Sequence, residues 1–385
     1  MKIPRAENNV STEIIAQRVA AVNGMGVDLR HTTHYSLDPA NTAGKIENFI
    51  GVAQVPIGLA GPIRINGEFA QGDFLVPLAT TEGTLVASYN RGMKAISEAG
   101  GCRTQVHSDF FMVPYFFRLE TLQAAAEFAQ WCERHSEVIA GIMEATTRHG
   151  RFHGMRLKTV PQGVIIEFEM TTGDAMGANM VVIAADAACK WIAREAPNID
   201  PKDYHLGDMG KKANTSRAVR GFGKNVTAEV RLPMSIMQRL FHTTAKDWMS
   251  SYRAFEQHWT TTGAQGYQCM FANGLAALYI ACGQDLGYLP EETAGHLGAT
   301  ALPDDSLHVT VHIPCIIIGT VGGGCNLPTQ KECLQMLGCF GTGNARKFAE
   351  IAASVVLAGE LSVVAAFAAR EFVQAHQKLS RNCSI

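Results

Sequence analysis

The sequence predicts an α+β protein in which one region is inserted into another, and three observations carry that expectation. Two stretches, Gly263 to Ile280 and Ala345 to Phe372, are long, apolar and rich in small residues, which suits buried helices. Two others, VIIEFEM at 164–170 and LHVTVHIPCIII at 307–318, alternate or run apolar with β-branched residues, which suits strands. The Gly-rich, apolar character of residues 45–101 also returns after about residue 205, beyond a stretch of different composition. At 385 residues the chain can hold two or three domains. A chain of that size removes about 75% of its unfolded surface from water, so no disulfide or metal staple is required.

Residues 1–45 are polar and mixed, with a helical pattern near Thr12 to Val22, and read as an N-terminal helical extension. Lys45 to Gly67 is dense in Gly and Pro with short β-branched runs, which favours turns and short strands. Thr84 to Ala99 reads as a helix stopped by Gly100-Gly101. The apolar run FFMVPYFF at 110–117 is strand-like, and Glu120 to Thr147 has helical spacing. After the strand at 164–170, Met176 to Arg194 is a helix ended near Pro197. The expected division is therefore an extension over 1–45, a large region over 46–114 and 204–385, and a small α+β insert over 115–203.

Charge narrows the possible partners. Thirty-three Lys plus Arg against thirty-five Asp plus Glu leave a net charge of −2, which argues against a nucleic-acid or anionic-membrane surface. No apolar leader stands at the N-terminus. The longest apolar stretch, Ile351 to Ala369, is interrupted by Gly359-Glu360, so a buried helix is expected rather than a membrane span. Ten cysteines without a CxxC pair read as reduced, packed thiols, and the expected compartment is cytoplasmic.

Generic motifs are missing: there is no complete GxGxxG, no P-loop, no HExxH and no GxSxG. His308 and His312 share a strand face without a completing ligand, so no metal is expected. What remains are charged residues among Gly, Thr and small apolar groups. Glu82 opens a helix, and spacing alone favours a capping carboxylate with Thr80 or Thr81 as the cap; Asp174 has the same ambiguity. Lys211 and Lys212 suit a solvated face, Asp285 a turn, and His376 a position just past an apolar helix. Taken singly, the bland readings prevail.

Taken together, six blocks resemble the hydroxymethylglutaryl-coenzyme A (HMG-CoA) reductase family. They are ENFIGVAQVPIGLAGPI, VPLATTEGTLVASYNRGMKAI, TGDAMGANM, YIACGQD, IGTVGGGCNL and LQMLG, in the family's order between Glu47 and Asn382. The spacing is closer to the eukaryotic and archaeal class. The resemblance implies a large, mainly helical domain with a long central helix, and an inserted ferredoxin-like domain that binds NADPH. It also implies a homodimer or homotetramer with shared active sites. By motif, the catalytic residues become Glu82, Lys211, Asp285 and His376. Thioester reduction takes two hydrides and passes through a thiohemiacetal and an aldehyde. Lysine stabilises the developing oxyanion, a carboxyl delivers protons, a second carboxylate holds the lysine charged, and histidine protonates the departing thiolate. The cofactor positions implied are Thr147, Arg148, Asp174, Met176, Gly177, Asn179, Gly322, Gly323 and Gly324, with Arg148 against the 2′-phosphate. Those implied for substrate and CoA are Ser88, Asn90, Arg91, Lys212, Arg253 and Asn273.

The acyl end departs from the family pattern. Val113 falls where an arginine usually grips the distal carboxylate, and Tyr204 and Gly210 replace a serine and an aspartate. Arg253 stands for a lysine and Met270 for a histidine, although Lys212 remains. Losing such an arginine removes about 1.5–3 kcal/mol of charge-assisted hydrogen bonding. Three readings stay open: mevalonate formation from HMG-CoA, for isoprenoid biosynthesis, with a substitute grip; reduction of a different acyl thioester on CoA or a carrier protein; and a non-catalytic NADPH- and CoA-binding scaffold.

Overall fold

The computed structural model describes residues 3–197, 199–200, 203–206 and 222–380. Strands β1 (Ile57–Asn66), β2 (Gln71–Ala79), β3 (Cys102–Arg118), β7 (Gly223–Leu232), β8 (His296–Ala301) and β9 (Leu307–Ile316) form one sheet in the order β2-β1-β3-β7-β9-β8. Strand β3 belongs to two sheets. Its first half pairs with β7 from Arg103↔Glu229 to Phe110↔Gly223. From Phe111 onward it pairs antiparallel with β5 (Gly163–Thr171), which also pairs with β4 (Arg151–Val160). The short β6 (Tyr204–Leu206) lies on the other side of β3. The second sheet is thus β4-β5-β3-β6, and helices Leu122–Arg134, Ser136–Ala145 and Ala178–Glu195 complete a β-α-β-β-α-β order.

Each sheet has its own core. In β9, Leu307, Val309, Val311 and Ile313 are buried while His308, Thr310 and His312 are half-buried, the period of two that one covered face requires. That buried face packs on the helix Ala345–Ala368 within the first core. The second core gathers Phe117, Phe128, Ile166, Phe168 and Ile192. The N-terminal segment is tied on by Arg18, whose guanidinium donates to the carbonyls of Pro4, Asn9 and Phe49.

Helix Ala345–Ala368 is long and apolar enough to cross a membrane, but 89% of its most apolar window is buried inside the protein, where it acts as the central core helix. Its two buried acids are paired, as buried charges must be. Glu350 accepts the amides of Glu68, Phe69 and Ala70, and Glu360 accepts those of Cys269 and Met270. Small residues let helix Leu85–Glu98 cross it closely. A Cβ on Gly92 would lie 1.9 Å from the Ala358 carbonyl oxygen. Gly92→Ala is therefore expected to cost about 1–3 kcal/mol through forced separation of the two helices. Thermal unfolding should show a midpoint lower by several degrees; an unchanged midpoint would contradict so close a crossing.

The structure corrects several expected elements. The single helix over 120–147 is two, broken at His135, whose Nδ1 lies 2.8 Å from the Trp131 carbonyl oxygen. The helix expected from Gly263 starts at Phe271, because Gly263 (φ +70) ends the preceding helix Ala245–Thr262 as a left-handed C-cap. The large region is not simply helical, since it contains most of the six-stranded sheet. Strand β4, absent from the sequence reading, carries basic residues, two of which, Arg156 and Lys158, pair across to the buried Glu169 and Glu167 of β5.

Candidate active site

Helix Phe271–Cys282 has a cavity at each end. At its first turn, a cavity of 410 Å³ is lined by Glu82, Leu85, Ser88, Arg91, Met270 and Asn273, and is closed on one side by Phe372 and Ala375. Glu82 sits in the turn between β2 and helix Leu85–Glu98, where its amide donates to Thr80 Oγ1 at 2.9 Å. It does not cap that helix: Thr84, in the left-handed region at φ +75, is the N-cap and makes no side-chain cap bond. The exposed Glu82 carboxylate instead accepts from Asn273 Nδ2 at 3.3 Å, on a different helix. This is how a turn residue becomes a candidate acid.

Ser88 and Arg91 lie one turn apart on the same wall. Ser88 Oγ is 3.0 Å from Ser362 Oγ, and Arg91 donates to Ser362 Oγ and to its carbonyl at 3.1 and 2.7 Å. Glu371 stands 3.8 Å from the Arg91 guanidinium. Asn90 faces away and accepts the Gly61 amide at 2.9 Å, joining the helix to β1 rather than lining the cavity. His376 follows Ala375 in helix Phe372–Ser380, the helix that closes this cavity.

Past the last turn lies the second cavity, of 700 Å³, lined by Asp285, Met176, Gly177, Asn179 and Gly322 to Gly324, with Lys45 from the N-terminal segment. Asp285 accepts the Gly287 amide at 2.9 Å, which sets the turn leaving the helix. Gln284 bridges the cavity floor, donating to the Cys282 carbonyl and accepting the Gly319 amide. Gly283 and Gly324 pack backbone to backbone: a Cβ on Gly283 would lie 2.5 Å from Gly324. At Gly322 and Gly323 the backbone is left-handed and a Cβ would meet nothing within 4 Å, so bare peptide faces the cavity. Asp174 is committed elsewhere, accepting the amides of Gly343 and Ala345 at 2.7 and 3.0 Å, where it caps the central helix. Thr147 Oγ1 donates to the sulfur of Met180, a residue of this lining; Thr147 and the exposed Arg148 that follows it do not themselves line the cavity.

The structure thus gathers the site residues into two groups and leaves some out. Lys211 and Lys212 lie outside the described residues. Arg253 is exposed on helix Ala245–Thr262 and lines neither cavity. Val113, expected to wall the acyl pocket, is buried in the second core. The 12 residues of helix Phe271–Cys282 span roughly 18 Å at about 1.5 Å per residue, so within one chain Glu82 and Asp285 are too far apart to act on one carbonyl.

Sequence reading missed two buried acids. Glu360, legible only as a charge interrupting an apolar run, holds the turn that leads into helix Phe271–Cys282. Glu292 accepts the Tyr279 hydroxyl at 2.5 Å and the Ile317 amide at 2.8 Å, tying that helix to the strand that enters the glycine loop. Burial pushes the Glu292 carboxyl well above the ordinary range, although the Tyr279 and Ile317 hydrogen bonds oppose the shift.

The family model described as hydroxymethylglutaryl-coenzyme A reductase matches residues 14–381. The chain belongs to this family. It is 39% identical to the 3-hydroxy-3-methylglutaryl-coenzyme A reductase of Pyrococcus horikoshii, over 99% of this chain and 94% of that protein. The protein of the same name from Methanocaldococcus jannaschii is 38% identical over 97% and 94% of the two chains. Among solved structures, the class II reductase of Streptococcus pneumoniae bound to NADPH in open conformations superposes with a TM-score of 0.69. That match covers 94% of this chain and all of the other at 17% identity, a likeness of fold. The sequence resemblance, read from six short blocks, is borne out over almost the whole reductase-family chain.

Proposed function

We propose that this chain is an NADPH-dependent reductase that converts HMG-CoA to mevalonate. The observation that carries this is the two-ended helix Phe271–Cys282, which offers Glu82 and Asn273 at one end and Asp285 beside a glycine floor at the other. The second cavity fits a dinucleotide by its bare glycine backbone and by the start of helix Ala178–Glu195, an N-terminus suited to phosphate. Met176, Gly177, Asn179 and the Gly322–Gly324 backbone would hold the nicotinamide end. Asp174 would support them through its cap, and Thr147 and Arg148 would take the 2′-phosphate. The β-α-β-β-α-β order from the second half of β3 to β6, which covers residues 115–203 and ends just past them at Leu206, supports a ferredoxin-like insert as the cofactor-binding domain.

NADPH, when bound, supplies the reducing hydride. Lys211 polarises the thioester carbonyl and steadies the negative oxygen; Asp285 keeps that lysine charged. Glu82, oriented by Asn273, holds and delivers the proton at that oxygen, and His376 protonates the leaving thiolate. Ser88 and Arg91 bind CoA in the first cavity, and Lys212 takes the acyl end. Because Glu82 and Asp285 are separated along one helix, two copies of the chain build each site, with Glu82 from one and Asp285 from the other. The enzyme acts as a homodimer or a larger even assembly.

Following NADPH absorbance with HMG-CoA tests the reading: two equivalents are oxidised per mevalonate formed. A second reading, reduction of an acyl thioester lacking a distal carboxylate, rests on the sequence, where Val113 stands at the position expected for the arginine that grips that carboxylate; its burial in the second core leaves it off both cavity walls. Turnover of short acyl-CoAs but not of HMG-CoA would select it, and NADPH binding without any turnover would leave a scaffold. Arg148→Ala is expected to lower kcat/KM for NADPH by about 10-fold or more while leaving NADH unchanged, since only the former carries the extra phosphate. Equal losses with both cofactors would remove Arg148 from that contact.

A further inference from the structure

The N-cap of helix Phe271–Cys282 is Met270, which offers no side-chain cap; Gln268 Oε1, three residues before the helix, accepts the first helical amide, that of Phe271, at 3.1 Å. The two amides just before the helix are held from across the core. Both Glu360 oxygens accept the Cys269 amide, at 2.9 and 3.1 Å, and Oε1 also accepts the Met270 amide at 2.5 Å. The Tyr89 hydroxyl donates to the Met270 carbonyl at 2.6 Å. The Tyr89 ring fills a slot between the two helices, where a Cβ on Gly274 would come within 2.7 Å of it and one on Gly359 within 2.5 Å. Tyr89 and Glu360 are both fully buried, so this brace has little freedom. Asn273, three residues after Met270, carries the hydrogen bond to Glu82.

We infer that Glu360 is a positioning residue for Glu82, acting through the Cys269–Met270 turn and Asn273, with Tyr89 as the packed wedge between the two carboxylates. The inference rests on the role assigned above to Glu82. Burial pushes the Glu360 carboxyl up to about 7, against the pull of the Met270 and Cys269 amides. Its charge therefore changes near neutrality. The titratable groups facing it are Tyr89 on helix Leu85–Glu98, Tyr252 on helix Ala245–Thr262 and Cys269 on the turn, with Glu82 beyond Tyr89. Burial, and then the fields of Glu360 and Glu82, push the Tyr89 phenol well above its ordinary range, so it remains a donor.

The sign of the effect follows from the hydrogen bonds. As pH falls through the Glu360 range, its carboxylate gains a proton and grips the Cys269 and Met270 amides less well, which loosens the turn that carries Asn273. Glu360→Gln keeps an acceptor for the two amides but removes the titrating charge. It is expected to retain kcat within a few-fold and to flatten the part of the kcat–pH profile that falls with pH through the Glu360 range. Glu360→Leu removes the acceptor as well. Its kcat should fall by about 10-fold with KM for NADPH unchanged, because the cofactor cavity lies at the helix's other end.

Profiles are measured on the purified full-length enzyme, with the kcat of Glu82→Gln measured alongside. A Glu360→Gln profile superimposable on the parent, or a Glu360→Leu enzyme with parental kcat, overturns the inference. If Glu360→Leu does not fold, the Glu360→Gln profile alone decides. Full activity in Glu82→Gln would instead sink the catalytic reading of Glu82 and leave Glu360 as a structural cap.

Discussion

Glu82→Gln is expected to lower kcat by at least about 100-fold, the lower end of what a positioned acid–base group contributes. The substitution is close to isosteric. The new amide oxygen can still accept from Asn273, so the turn after β2 and the start of helix Leu85–Glu98 need not move. What disappears is the ability to hold and give a proton. NADPH affinity should be unchanged, because the glycine-floored cavity lies beyond the other end of a helix roughly 18 Å long. Steady-state kinetics with a fluorescence titration of NADPH read both quantities. A kcat above a tenth of the parent's would remove Glu82 from the chemistry, and a parallel loss of NADPH binding would mean that the substitution disturbed the fold instead.

Much of this site was legible because its residues lie in short blocks where a charge or glycine sits among small groups. Glu82, Asp285 and the glycines at 322–324 stand out that way, and the structure sets each of them on a cavity wall. Their division between two cavities was not legible. It depends on the length and direction of helix Phe271–Cys282, whose start was displaced in the sequence reading by a glycine that serves as the stop of the preceding helix. Glycine supplies a left-handed residue to helix ends, and composition alone does not say to which helix the end belongs. Asp174 illustrates another limit. A carboxylate at a helix start was expected to meet the cofactor, but its partners are amides 169 and 171 residues away at the start of the central helix. Long-range capping leaves no local periodicity. Glu360 was hidden for the same reason, since its partners lie 90 and 91 positions back. Strand β4 was missed because its polar face is matched by Glu167 and Glu169 on β5, a pairing that hydrophobic patterning does not weigh.

Mixing two inactive chains should restore activity. Asp285→Asn removes the carboxylate charge that keeps Lys211 cationic while conserving shape, and like Glu82→Gln it should be nearly inactive alone. Suppose each site takes Glu82 from one chain and Asp285 from another. In a mixed dimer, one site then carries both substitutions and the other carries neither. Random reassortment of equal amounts makes half the dimers mixed, each with one intact site, so activity should return to about a quarter of the parent's. Were each site built within one chain, every site would carry one lesion or the other and mixing would recover nothing. Subunits are exchanged by mild denaturation and dilution, with each variant treated alone as the control, and NADPH oxidation is read afterwards. Native mass measurement of differently tagged chains confirms that mixed dimers formed. Recovery near the expected fraction requires that the two ends of helix Phe271–Cys282 serve different active sites. No recovery in a verified mixed population would require both carboxylates to act within one chain, across a span that the helix between them does not permit.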